Sequence, residues 1–121
     1  MKALIIAYES ERDFAMRRAE KAAFNAYMGP WFEYSKELSE AGVVRGGEAL
    51  QGPDSATCIS VAGGRRKVED GPFIDAKEQI GGFFLIEVPT IDDAVKWAAK
   101  CPAAATGYVE VRDVPDYGQE G

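Results

Sequence analysis

The side chains best suited to chemistry in this 121-residue sequence are carboxylates and basic groups gathered in its second half. Asp70 opens the run Asp70-Gly71-Pro72-Phe73, Lys77 and Glu78 follow in the same connection, and Glu110 and Arg112 share one face near the C-terminal end. A turn stiffened by Pro72 and followed by a buried Phe73 holds a carboxylate in place, so Asp70 and Glu78 are the candidates for a proton-abstracting base. Arg112 presents a planar fork suited to an anion. With Lys77, Glu110, Phe73 and Tyr8 it is expected to line the ligand site, and Asp70, Lys77, Glu78 and Arg112 are expected to meet as one polar cluster. Each of these residues also has a plainer role. Asp70 is a turn former, Lys77 and Glu78 are surface charges, and the face bearing Glu110 and Arg112 is equally well explained by solvent. Tyr8, Glu9, Trp31 and Trp97 line either a pocket or the core, the commoner place for aromatic residues at helical spacing.

Composition narrows the chemistry further. Histidine is absent, which removes the usual proton shuttle near neutral pH together with histidine-based triads and metal sites. Cys58 and Cys101 are too few for a zinc knuckle or a disulfide framework, so reduced thiols in a cytoplasm are expected. Cys101 falls at a helix C-terminus, where a thiolate is disfavoured, and is not expected to act as a nucleophile. No carboxylate spacing marks a metal site, and neither metal nor cofactor is expected. The 14 basic and 20 acidic side chains leave a net charge of −6. The small basic clusters, Arg17-Arg18 with Lys21 and Arg65-Arg66-Lys67, have acidic neighbours, so nucleic-acid binding is not expected. No apolar run approaches the roughly 18 residues of a membrane span, and Met1–Tyr8 reads as a first strand, not a signal peptide.

The elements that position these groups follow from periodicity. Lys2–Tyr8 is aliphatic on both faces and reads as a strand, with Glu9–Asp13 breaking the pattern. Phe24, Tyr27, Met28, Trp31, Ser35 and Leu38 step by three or four and form one helical stripe, expected to break at Gly29-Pro30 and end at Ala41-Gly42. Val43-Val44-Arg45 is a short strand leading into a Gly46-Gly47 turn. Ala56–Ala62 and Arg65–Glu69 flank Gly63-Gly64 as a hairpin, in a register that sets Ile59 opposite Val68 and Cys58 opposite Glu69. Gly82–Val88 is a central apolar strand. Thr90 and Asp93 form a capping pair for a helix with Ile91, Ala94, Val95 and Ala98 on one face, ended by Cys101-Pro102. Tyr108–Val114 is the last strand, with Val109 and Val111 alternating against Tyr108, Glu110 and Arg112. The order β-α-β-β(hairpin)-β-α-β predicts an α+β fold of ferredoxin-like plan: an antiparallel sheet, two helices on one face and an extra hairpin strand. Residues 1–114 are expected to form one domain, and 115–121 a polar, frayed tail.

Asp70-Gly71-Pro72-Phe73 with Lys77-Glu78 and Gly81-Gly82-Phe83 resembles a known family signature. Ala94–Ala98, Cys101-Pro102 and Gly107 with Val109-Glu110-Val111-Arg112 continue the likeness over nearly all of residues 1–114. The chain thereby resembles the YCII-related (DGPF-domain) proteins. That resemblance implies a ferredoxin-like dimeric α/β barrel, in which two sheets pack face to face around a cleft. Some relatives act on small organic molecules and carry a His–Asp dyad. Its positions fall near Phe32 and Cys101 here, so dyad chemistry does not transfer. The resulting expectation is a homodimer binding a small anionic organic molecule in a cleft, with carboxylate-based acid–base chemistry if it is an enzyme. The alternative is a non-catalytic regulatory or interaction module associated with a sigma factor.

Overall fold

A computed structural model describes residues 1–118, so the last three residues of the expected tail lie outside the described residues; Pro115–Gly118 forms neither helix nor strand. The chain runs β1 (Lys2–Ser10), α1 (Glu11–Met16), α2 (Lys21–Glu40), β2 (Val44–Ala49), β3 (Thr57–Ala62), β4 (Arg65–Asp70), β5 (Glu78–Glu87), α3 (Ile91–Ala99), α4 (Ala103–Thr106) and β6 (Tyr108–Val114). Four strands form an antiparallel sheet in the order β2-β5-β1-β6, and β3 and β4 pair separately as a hairpin. This is the α+β arrangement the sequence pattern implies.

One face of the sheet carries the core. Along β1 the residues Ala3, Ile5 and Ala7 are buried, and Ile86 of β5 joins them. Tyr34 and Leu38 of α2 and Ala94 and Ala98 of α3 close over this face. Tyr34 donates its hydroxyl to the Trp97 carbonyl at 2.8 Å and meets the Phe84 ring edge-on, with centroids 5.3 Å apart. A phenol buried this way contributes apolar area and leaves no unpaired donor. The alternate residues of β1, Leu4, Ile6 and Tyr8, point to the opposite face beside Leu85, Phe83 and Ile80 of β5, and among the described residues no element packs over them as the helices do on the core face.

Several expectations are corrected. The α2 helix does not break at Gly29-Pro30 but runs through it. Pro30 removes one helical N–H, yet Ala26, Gly29 and Pro30 are all exposed, so water can take the carbonyl it frees, while Tyr34 and Leu38 anchor the following turns. Gly46-Gly47 is not a turn; β2 continues to Ala49, because β5 pairs with it from Val44 to Ala49 and absorbs a bulge between Val44 and Gly46. Glu9 and Ser10 belong to β1, and Ser10 with Asp13 forms a reciprocal capping box that starts α1. Ile91 and Val95 of α3 are exposed, and its buried face is the small pair Ala94 and Ala98. Phe73 is 89% exposed, not buried, since the chain leaves the hairpin there before rejoining the sheet. The hairpin register and the Thr90–Asp93 capping box are as expected, with Gly63 and Gly64 at φ +57° and +77°.

Candidate functional site

The alternation of β1 puts Glu9 on the core face, where its neighbours Ile5 and Ala7 are apolar. Glu9 is 1% exposed. A carboxylate withdrawn from water needs partners, and it has two. Arg17, at the end of α1, donates Nη2 to Glu9 Oε2 at 2.5 Å, and Tyr27 of α2 donates its hydroxyl to Oε1. The same guanidinium donates to the Gly81 carbonyl at 2.9 Å and to the Leu50 carbonyl, with Cζ 4.8 Å from the centre of the Phe14 ring. One side chain therefore ties β1, the segment after β2, and β5 together.

Gly81 makes this approach possible. Between Ala7 and Tyr8 the β1–β5 register shifts, with Ala7 opposite Gly82 and Tyr8 opposite Ile80, so Gly81 is the extra residue of a bulge. Its carbonyl accepts both Arg17 and the Leu50 N–H, the latter at 2.8 Å. A Cβ on Gly81 would overlap the Glu9 carboxylate, 2.6 Å from its Cδ and 2.9 Å from Arg17 Nη2.

Beside this cluster lies a cleft of about 280 Å³ between α2 and the β2–β5 side of the sheet. Met28, Trp31, Phe32 and Phe84 give it apolar walls, and Glu9 and Arg17 stand at its polar end. Arg17 has five N–H donors, three of which are taken by Glu9, Gly81 and Leu50, and its side chain keeps 19% of its surface open. The Tyr27 phenol is held far above its ordinary range, first by burial and then by its hydrogen bond to Glu9, so it stays a neutral donor. The arrangement can hold the oxygen of a small ring-sized molecule against Arg17 while aromatic side chains cover the ring.

The expected site residues are distributed differently. Tyr8, Phe73 and Glu78 line a second cavity of about 720 Å³ at the end of the open sheet face. At its edge Tyr8 donates to Glu110 Oε1 at 2.8 Å, and Arg112 donates Nε to Glu110 Oε2 at 2.7 Å. The hydroxyl of Tyr8, and then Arg112, hold the Glu110 carboxyl below its usual range, while acceptance by Glu110 raises the Tyr8 phenol. Lys77 lines a separate cavity of about 680 Å³ with Phe14, Arg18 and Asp54. Asp70 ends β4. Among the described residues no hydrogen bond or ion pair joins Asp70, Lys77 or Glu78 to Arg112 within a single chain.

Arg17, Tyr27 and Gly81 are site residues that lie outside the expected set. The signals were present: carrying the β1 alternation past Tyr8 places Glu9 inward, and Ser10-x-x-Asp13 announces a helix that delivers Arg17. Of the dyad positions, Phe32 lines the cleft and Cys101 is buried. Burial pushes the Cys101 thiol up to about 11. At about pH 8 only Cys58 of the two free thiols is therefore expected to react with Ellman's reagent in the native protein, and both after urea unfolding; equally fast reaction of both before unfolding would contradict the buried environment. Among the described residues no three Cys, Asp or Glu side chains converge to hold a metal, and no helix is long and apolar enough to cross a membrane.

The YCII-related domain pattern matches residues 1–117. The uncharacterised protein R00369 of Rhizobium meliloti (strain 1021) is 35% identical over 84 residues, which are 68% of each chain. Among solved structures, the 5-chloro-2-hydroxyhydroquinone dehydrochlorinase TftG of Burkholderia phenoliruptrix AC1100, in complex with 2,5-dihydroxybenzoquinone, matches with a TM-score of 0.55. That match covers 95% of this chain and 94% of TftG at 15% identity, which is a likeness of fold.

Proposed function

The chain belongs to the YCII-related family, and from that premise we propose that it binds a small, oxygen-bearing, single-ring organic molecule, anionic or partly so, in the cleft beside Glu9 and Arg17. The observation that carries this reading is a buried ion pair with unused guanidinium donors at the end of an aromatic-walled cleft. A cavity of about 280 Å³ suits one ring, not a drug-sized ligand. The solved relative TftG holds a molecule of this class, which favours a hydroxylated ring or quinone. Both Glu9 oxygens already accept hydrogen bonds, so the cluster is built to hold its position. The reading is thus of a binding site first. Proton abstraction by Glu78 would belong to the other cavity, which Glu78 lines, and near it the Arg112 Nε is already given to Glu110.

Thermal shift with 2,5-dihydroxybenzoquinone and a panel of hydroxybenzoates tests this. A ligand at a hundredfold excess over its Kd should stabilise the fold by about 2.7 kcal/mol. Phe32, 58% exposed, can be shortened without opening the core. Phe32→Ala is expected to weaken binding about tenfold while leaving the unliganded melting temperature close to wild type. No shift across the panel, or unchanged binding by Phe32→Ala, would sink the reading.

A homodimer in a reducing cytoplasm completes the proposal. Leu4, Ile6, Phe83 and Leu85 form an apolar centre on the open sheet face, which two copies can cover by facing one another.

A further inference from the structure

We propose that the β3–β4 hairpin is an arm that packs on a second copy of this chain, laying its apolar side against the partner's open sheet face. The register divides the hairpin into two sides. Thr57, Ile59, Val61, Arg66, Val68 and Asp70 share one, with Ile59 directly opposite Val68. The other carries Ser60, Arg65, Lys67 and Glu69, and has its own ion pair, Lys67 to Glu69 at 2.9 Å. Ile59, Val61 and Val68 are each more than half exposed. A two-stranded hairpin outside the main sheet is marginally stable in water, and three apolar β-branched side chains on one side are the pattern of strands that pack on something. Nothing among the described residues covers them.

The occupant follows from what the chain leaves uncovered elsewhere. Among the described residues the open face of the main sheet is a second unpartnered apolar surface, and it adjoins the arm. The two surfaces are continuous, since Phe73 and Ile74, just after β4, wall the same cavity as Tyr8 and Ile80 of that face. A twofold arrangement covers both at once in both copies. The charges agree. Among the described residues Asp70, on the apolar side of the arm, makes no side-chain hydrogen bond or ion pair, while Arg112 on the open face is paired only with Glu110 and largely exposed. Packing of the arm brings Asp70 to the partner's Arg112, so that the second cavity is completed by the other copy. This inference rests on the homodimer proposed above.

Light scattering and sedimentation of the full chain separate the two. Ile59→Asp with Val68→Asp is expected to raise the dimer dissociation constant at least about tenfold, with the circular dichroism of the fold unchanged. Ser60→Asp, on the other side of the arm, should leave it unchanged. Asp70→Arg should weaken the dimer, and adding Arg112→Asp should restore it. A wild-type chain that stays monomeric overturns the homodimer and the arm together. A dimer that forms normally in the Ile59 and Val68 variant overturns the arm alone, and failure of the charge exchange to restore association overturns the Asp70–Arg112 meeting.

Discussion

Replacing Gly81 by alanine is expected to destabilise the protein by about 3–5 kcal/mol, the range for breaking a buried ion pair by removing one partner. The added methyl has no free space: it overlaps Glu9 and lies 2.9 Å from Arg17 Nη2. If Glu9 yields, its carboxylate leaves Arg17 and Tyr27, and a guanidinium stays in a half-closed site without a counter-charge. If the backbone yields, the bulge shifts and the Leu50 N–H loses the Gly81 carbonyl. Both routes disrupt the polar end of the cleft, so ligand stabilisation should disappear along with fold stability. Urea unfolding measures the effect, and a midpoint equal to wild type would show that the cluster has room the structure does not contain. Glu9→Gln is the milder companion, since it keeps the shape and one of the two acceptors but removes the charge.

Leu38→Ala is expected to lower stability by about 2–5 kcal/mol. Leu38 is fully buried, and with Tyr34 it fixes the C-terminal half of α2 on the sheet beyond Pro30. That half has already lost a helical hydrogen bond to proline, so its attachment depends on side-chain packing. A loss below about 1 kcal/mol in calorimetry or urea unfolding would mean that the helix collapses readily into the cavity, or that the anchor lies elsewhere.

Much of the architecture was legible in the residues because local chemistry and global fold agree there. Gly63-Gly64 admits a two-residue turn, and the Ile59–Val68 apposition then leaves no freedom of register. Thr90 and Asp93 announce α3 for the same reason. The site was harder to see. A charged residue inside an alternating strand looks like the end of the strand, and Glu9 is charged because partners 8 and 18 residues onward in sequence neutralise and hydrogen-bond it in space. Such partners are tertiary facts, invisible to periodicity. Phe73 misled in the opposite sense: a large apolar residue suggests burial, yet hydrophobicity sets only a preference, and this one is exposed. Pro30 misled because its penalty depends on whether the freed carbonyl can reach water, which the helix stripe alone does not state.

The bulge in β2 has a bearing on how the protein behaves at high concentration. β2 is an outer strand with an unpaired flank, the kind of border along which sheets from different molecules fuse into fibrils. Arg45, standing at the irregularity, curls its guanidinium back onto the Gly42 and Val44 carbonyls at 2.9 and 3.0 Å and onto Glu87 at 3.1 Å. At this end of β2 the Val44 carbonyl is thus already taken, and a charge sits beside it. This end of the border is guarded from within, which discourages lateral growth of the sheet there.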